Sequence, residues 1–254
     1  MSAYGRNGGL LDLGANVGFF SLSAAAHGFS AIAVEPLEYN TELLRRSIES
    51  NNLGSVTIVQ KAVSNSSGER ACMETNLQNQ SGNGAVARHG WEQCKEVVEL
   101  TTVDQLLVDV GNPCIRAVKV DLEGFDVEAL QGAASLLTGI QPTDLTSHCC
   151  NHTRQTKLVE WRRARICRPC LVVVEMLSSY QQLGGLYDHT DLTRVMESSG
   201  YTLVHFMSWT GMGVNDGDYL FGLLSDDTCH NSLSSGLRRF MRPDAPISRA
   251  SAYS

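Results

Sequence analysis

Two clusters of residues in this chain have the types and the spacing to handle a nucleoside. The first runs Leu10-Leu11-Asp12-Leu13-Gly14-Ala15-Asn16-Val17-Gly18 and is followed by Ala31-Ile32-Ala33-Val34-Glu35-Pro36. It reads as an apolar strand, a tight glycine turn, a helix start and a second strand ending in a carboxylate. Glycine lets backbone approach a ligand closely and take conformations closed to larger residues. The helix start offers unpaired N–H groups, and an acid at Glu35 can accept both hydroxyls of a ribose. The spacing separates classes of nucleoside. A dinucleotide site uses G-x-G-x-x-G so that backbone can reach a pyrophosphate. Here the pattern is D-x-G-x-x-x-G with Asn16 inside the turn. It suits a ligand without phosphate, such as S-adenosylmethionine, whose amino-acid end needs polar partners. The same turn also serves as a plain strand-to-helix connection.

The second cluster is Asp121-Leu122-Glu123-Gly124-Phe125-Asp126, at the end of an apolar run from Ile115 and ahead of the helical stretch from Val127 to Ala133. Acids at the carboxyl end of a strand lie where open α/β sheets bind ligands. One of them could simply cap the following helix. Asp126 reads as a first-turn helix acid worth roughly a few tenths of a kcal/mol. Asp121 and Glu123 are the candidate catalytic residues. A hydroxyl acceptor must lose a proton, which a carboxylate within hydrogen-bond reach can take. His89, His148, His189 and His205 are alternative bases. Paired acids could instead hold a divalent metal, but no third ligand is evident and no metal is expected.

Four motifs in order resemble the FkbM family of S-adenosylmethionine-dependent methyltransferases. They are Leu-Asp-Leu-Gly-Ala-Asn-Val-Gly (11–18), Val-Glu-Pro (34–36), Lys-Ala-Val-Ser (61–64) and Val-Lys-Val-Asp-Leu-Glu-Gly-Phe-Asp (118–126). The match covers about 10 to 137 and resumes from about 171 to 223. The resemblance implies a class I methyltransferase fold: a Rossmann-like, doubly wound, mostly parallel seven-stranded sheet with helices on both faces. It implies S-adenosyl-L-methionine as cofactor and a small-molecule or carbohydrate hydroxyl as acceptor. By matching position, Asp12, Gly14, Asn16 and Gly18 belong to the cofactor turn, with the last three lining the methionine end. Glu35 takes the ribose, Ala62 lies near the adenine, and Asp121 faces the reactive side.

The elements that must position these residues follow from periodicity. An alanine-rich helix runs from Phe19 to His27, stopped by Gly28. Ala31 to Glu35 is a strand. Leu37, Thr41, Leu44 and Ile48 share one helical face opposite Arg45, Arg46 and Glu49. Val56 to Gln60 is a third strand. The alternation predicts a parallel doubly wound sheet. Residues 65–96 are polar and read either as a cover over the site or as an ordinary exposed loop, flanked by short strands near 69–73 and 97–101. A helix follows from Thr101-Thr102-Val103-Asp104 to near Val110. Later come a strand at Leu171–Glu175, an amphipathic helix at Asp191–Ser199 and a strand from Thr202 to Met207. The closing strand Tyr219–Leu224 is expected antiparallel. One domain should occupy 1–224, short at its N-terminus, with a tail at 225–254 expected to be disordered.

Residues 138–170 fit none of this. They hold six basic residues against Asp144 and Glu160, in a chain of net charge −7. They read as a surface insertion or as translated non-coding sequence; the absence of turn chemistry and periodicity favours the second. The helix before is expected to end at Leu137, and a shortened chain in which a few Gly/Ser residues join Leu137 to Leu171 is expected to keep the sheet and to be at least as soluble and stable. Cys149-x-x-His152 and Cys167-x-x-Cys170 could form a zinc knuckle, although Cys170 must also begin a strand.

The chain has 254 residues, enough for a sizeable core, and its acidity argues against a nucleic-acid partner. No apolar run reaches membrane-spanning length and no secretory signal is visible. Eight scattered cysteines read as reduced thiols in a cytoplasmic setting. Asn65, Asn79 and Asn151 begin Asn-x-Ser/Thr triplets, which are common by chance. Two competing readings are a nicotinamide-dependent oxidoreductase, disfavoured by the glycine spacing and the lack of a Tyr-x-x-x-Lys base, and a non-catalytic methyltransferase-like relic.

Overall fold

The computed structural model describes residues 8–75, 84–87, 94, 96–140, 167–176, 187–208, 216–226 and 229. Its centre is a seven-stranded sheet. The strands are β1 (Gly9–Leu13), β2 (Ser30–Val34), β3 (Val56–Val59), β8 (Ile115–Val120), β9 (Leu171–Met176), β10 (Thr202–Ser208) and β11 (Gly217–Gly222). Their spatial order is β10-β11-β9-β8-β1-β2-β3. Neighbours pair in parallel from β3 to β9, whereas β11 runs antiparallel to both β9 and β10. The expected closing hairpin is therefore present, two residues earlier than Tyr219.

The apolar runs explain this sheet. Every residue of β2 is buried, as in a parallel strand covered on both faces. Leu11, Leu13, Ile32, Val34, Ile115, Val118, Val120, Val172, Val174 and Phe221 join one core. Helices α1 (Phe19–Ala26), α2 (Glu38–Ser50), α3 (Val103–Asp109), α4 (Asp126–Gln131), α5 (Ala134–Thr138) and α6 (His189–Ser198) flank the strands. In α2, Thr41 and Leu44 are buried, while Glu42 pairs with Arg45 and Arg46 in solvent. Helix α6 starts earlier than Asp191. Asp188 accepts from the N–H groups of Thr190 and Asp191, and the Asp191 carboxylate receives the N–H of Asp188. This reciprocal cap fixes the helix start.

The polar stretch forms a second, four-stranded sheet, ordered β4-β7-β5-β6. Its strands are β4 (Ala62–Val63), β5 (Arg70–Thr75), β6 (Gly84–Ala87) and β7 (Glu96–Thr101). Leu37, Ala62, Ala71, Met73, Val98 and Leu100 form its small core. The two expected strands are there. β6 was not expected, because its four residues are small and lie among polar ones.

The structure adds contacts around the chain's basic segment that the sequence did not lead one to expect. The helix before it ends at Thr138, with Gly139 as a left-handed C-cap. The segment's last residues belong to the fold: Arg168 donates to the Leu137 carbonyl at 2.6 Å and to the Ser199 carbonyl, and it lies over the Tyr201 ring. Tyr201 in turn donates its hydroxyl to the Pro169 carbonyl at 2.7 Å. A short join from Leu137 to Leu171 would remove all of this. Residues 141–166, including Cys149 and His152, lie outside the described residues.

The six cysteines among the described residues are paired rather than reduced: Cys72 with Cys94, Cys114 with Cys167, and Cys170 with Cys229. Cys167 and Cys170 are thereby committed to partners other than zinc. The tail is not loose throughout, since Cys229 is fully buried against the main core. Among the described residues, no helix is long and apolar enough to cross a membrane.

Arg168 supplies the testable consequence. A hydrogen bond from a charged donor is worth about 1.5–3 kcal/mol. Arg168→Ala should therefore lower the unfolding free energy by about that amount in denaturant titration. A change within error would show that the segment's end is only draped on the domain.

Candidate functional site

The glycine turn follows β1 directly. Gly14 has φ of +73°, and a β-carbon there would collide with the Asp121 carbonyl oxygen. Glycine is required because two strand ends meet at this point. Asn16 also takes a positive φ, a conformation asparagine tolerates better than most residues. The N–H groups of Gly14 and Ala15 both bond the Val34 carbonyl, so the turn is pinned to β2.

Glu35 continues from β2 and is almost fully buried. Its carboxylate accepts from the N–H of Asn16 at 3.0 Å, the N–H of Leu37 at 3.1 Å and the Asn40 amide at 3.0 Å. Burial raises its pKa, and these three donors oppose the shift. One acid thus ties the glycine turn to the start of α2.

Asp12 and Gly18 do not reach the open space. Asp12 is fully buried beneath the turn. Its Oδ2 accepts the N–H of Ser21 at 3.0 Å and the Ser21 hydroxyl at 2.7 Å. Gly18 caps α1 in the left-handed region, where a β-carbon would strike Leu44. Both hold the floor of the site, and neither lines the cleft itself.

Lys119 was not singled out by any motif, yet it is central. It sits beside Asp12 in the β1–β8 register. Its ammonium donates to the Gly14 carbonyl at 2.7 Å and pairs with Asp121 at 3.0 Å and Asp12 at 3.7 Å.

The turn after β8 is also unusual. Glu123 has φ of +53° and Gly124 +97°. A glutamate in the left-handed region costs energy that surrounding structure must offset, and such residues cluster at functional sites. Asp126 provides the offset. It is 1% exposed and accepts the N–H of Leu122 at 2.8 Å and of Gly124 at 3.1 Å. It is a first-turn helix acid, as the sequence suggested, and it is also the clamp of this turn.

These pieces line a cleft with a cavity volume of about 170 Å³. Gly14, Asn16, Glu35, Ala62, Asp121 and Glu123 all line it. The motifs missed Asn40, Met73 and Glu175, which line it too, and Val63 and Phe125 line it from within the motifs, where they had no assigned role. Met73 comes from β5, so the second sheet does supply a wall. His189 and His205 lie elsewhere, on α6 and β10. His89 and His148 fall outside the described residues. Among the described residues, no group of three or more His, Cys, Asp or Glu side chains is arranged to hold a metal ion.

Two acids here carry unusual protonation. Burial pushes Asp126 up to about 7, with Asp121 adding repulsion and the two backbone donors opposing. Glu175 is pushed up to about 8 by burial, then by the charges of Asp121, Asp218, Glu123 and Asp126. Both values exceed those of the unfolded chain, so the folded state binds these protons more tightly. Their stabilising contribution is complete below about pH 4 and is lost as pH rises through about 7 and 8. The melting temperature should therefore fall between mildly acidic and mildly alkaline solution, as read by calorimetry. Asp126→Ala strands two buried N–H groups and should cost about 1–3 kcal/mol in unfolding free energy. A loss of a few tenths would return Asp126 to the role of a helix-end charge.

Similar solved structures include WbdD, described as a bifunctional kinase-methyltransferase, at 15% identity and a TM-score of 0.45 over 85% of this chain and 34% of that one. This chain thus spans about a third of the length of that structure. Others are precorrin-6y C5,15-methyltransferase from Geobacter metallireducens GS-15 (11% identity, TM-score 0.42, 84% of this chain and 78% of that one) and the N-terminal domain of EvdMO1 with SAH bound (13%, 0.37, 86% and 75%). No curated protein sequence matches the chain. The sequence profile of the methyltransferase FkbM domain matches residues 12–203, well over half of the chain and all of the cleft described above. The chain belongs to the methyltransferase FkbM domain family.

Proposed function

We propose that the cleft seats S-adenosylmethionine and that the methyl acceptor is a hydroxyl group on a small molecule or sugar. The observation that carries the first part is the convergence of Gly14, Asn16, Glu35, Ala62 and Asp121 on one space. The residues present fit that donor. Glu35 keeps acceptor capacity toward the cleft for the ribose hydroxyls, because a carboxylate has about four acceptor positions and three donors engage it. Ala62, Val63 and Met73 give an apolar wall suited to adenine. Asn16 and Gly14 offer polar backbone and side-chain groups to the amino-acid end, and Asp121 offers a negative charge to its ammonium. When bound, the donor supplies a methyl group activated on a sulfonium.

On this reading the protein contributes position and a restricted cleft. Holding two reactants in line is worth about 7–11 kcal/mol of barrier at best. Lys119 fixes Asp121 in place, and Asp126 fixes the backbone that carries Glu123. Asp121 serves donor placement, and Glu123 shares that placement or positions the acceptor. Family membership decides against the nicotinamide reading, which had rested on fold class alone. One catalytic domain through residue 224 carries the activity. The paired cysteines remove the ground on which a cytoplasmic setting was expected.

Three measurements test the reading. S-adenosylhomocysteine should raise the melting temperature of the full chain by mass action. Glu35→Gln, folded by circular dichroism, should weaken binding by about 1–3 kcal/mol. A tritiated methyl group should move from S-adenosylmethionine to a hydroxyl compound in a metabolite extract, more slowly with Asp121→Asn. Absence of binding by calorimetry at millimolar ligand would remove the cofactor assignment. Label appearing on nitrogen or carbon would remove the hydroxyl assignment.

A further inference from the structure

Glu175 lines the cleft from β9, and no motif pointed to it. The strand order gives its place a direction. Polar cleft-lining groups follow one another across the sheet: Glu35 after β2, Gly14 and Asn16 after β1, Asp121 and Glu123 after β8, and Glu175 near the end of β9. If the nucleoside is anchored at Glu35, β9 is the far end, where the transferable group and the acceptor meet. That premise is the cofactor reading above.

The charges around Glu175 come from three elements. Asp121 and Glu123 follow β8, Asp126 begins α4, and Asp218 stands directly opposite on β11. Among the described residues, the cation paired with Asp121 is Lys119, already bonded to Asp12 and the Gly14 carbonyl as well. Among the described residues, no hydrogen bond reaches the Glu175 carboxylate. An ionised Glu175 is thus opposed by burial and by four carboxylates, which is why its proton is retained up to about 8. A positive charge placed in the cleft would reverse that balance, and a neutral occupant would not.

We propose that Glu175 is the proton acceptor of the methyl transfer, and that it ionises when a sulfonium occupies the cleft. Glu175 then meets the acceptor as a carboxylate. The hydroxyl oxygen bonds the methyl carbon as the carbon–sulfur bond breaks, its electron pair staying on sulfur. The hydroxyl proton passes to Glu175. Sulfonium plus carboxylate is neutral before the step, and thioether plus carboxylic acid is neutral after it. The same residue therefore distinguishes donor from spent product by charge.

Calorimetry on the full chain tests this without knowledge of the acceptor. Binding of S-adenosylmethionine and of S-adenosylhomocysteine is measured near neutral pH in two buffers of different ionisation enthalpy. The expected result is proton release with the sulfonium and none with the thioether, the difference vanishing in Glu175→Gln. The sulfonium's advantage in affinity should also shrink as pH falls below about 8 in the wild-type chain. This second measurement stands even if the variant folds poorly. Equal proton counts for both ligands, or undiminished release in Glu175→Gln, would overturn the role of Glu175 and leave the cofactor reading intact. Failure of both ligands to bind would overturn the cofactor reading itself. With the labelled acceptor pool, Glu175→Gln should cut transfer by about a hundredfold or more at saturating donor; transfer at the wild-type rate would refute the base assignment.

Discussion

A single buried ammonium makes the rest of this site possible. The carboxyl ends of β1, β8 and β9 bring Asp12, Asp121, Glu123, Asp126 and Glu175 close together, and such a group of acids repels itself. Lys119 bridges two of them, Asp12 and Asp121, and bonds the carbonyl of Gly14. It therefore neutralises charge and fixes the glycine turn with the same atom. The remaining acids are managed in other ways. Asp126 is clamped by backbone N–H groups, and Glu175 keeps its proton. Removing any negative charge from solvent is expensive unless it is paired, hydrogen-bonded or neutralised, and this site uses all three remedies side by side.

The parts of the structure legible in the sequence are those set by short-range rules. Continuous apolar runs such as Ala31–Val34 and Leu171–Val174 announce strands covered on both faces, and the structure has them buried in a parallel sheet. Glycine at 14 is legible because only glycine fits where two strand ends touch. Glu35 is legible because it ends a strand. The illegible parts depend on residues far apart in sequence. Lys119 looks like one polar position in a strand until the register sets it beside Asp12. Asp126 looks like a helix-end acid until the left-handed turn at Glu123 aims two amides at it. Glu175 gains its meaning from Asp218, which a strand from much later in the chain places opposite.

Cysteine pairing was beyond the sequence for a related reason, since spacing does not determine connectivity. The pairs observed fasten the edges of the domain rather than its centre. Cys114–Cys167 and Cys170–Cys229 hold the residues around the start of β9 to the segment ahead of β8 and to the segment after β11. Arg168 and Tyr201 lie between these two pairs and join the same region to α5 and to the end of α6. The basic segment thus contributes a fixed terminus to the fold, whatever its remaining residues do.

The position of β11 has a consequence for the order of assembly. It is the last strand among the described residues but not an edge strand, because it pairs with β9 on one side and β10 on the other. During synthesis β9 emerges with one flank exposed, and β10 emerges with no partner in the sheet. Neither can be completed until residues through Gly222 have left the ribosome. The half of the sheet from β3 to β8 can form earlier, since all of its strands precede them. Assembly therefore has a built-in delay: the nucleoside half can take shape while the chain is still growing, but the wall bearing Glu175 closes only after β11 has emerged. Until then, the open flank of β9 is a strand edge that other chains can pair with.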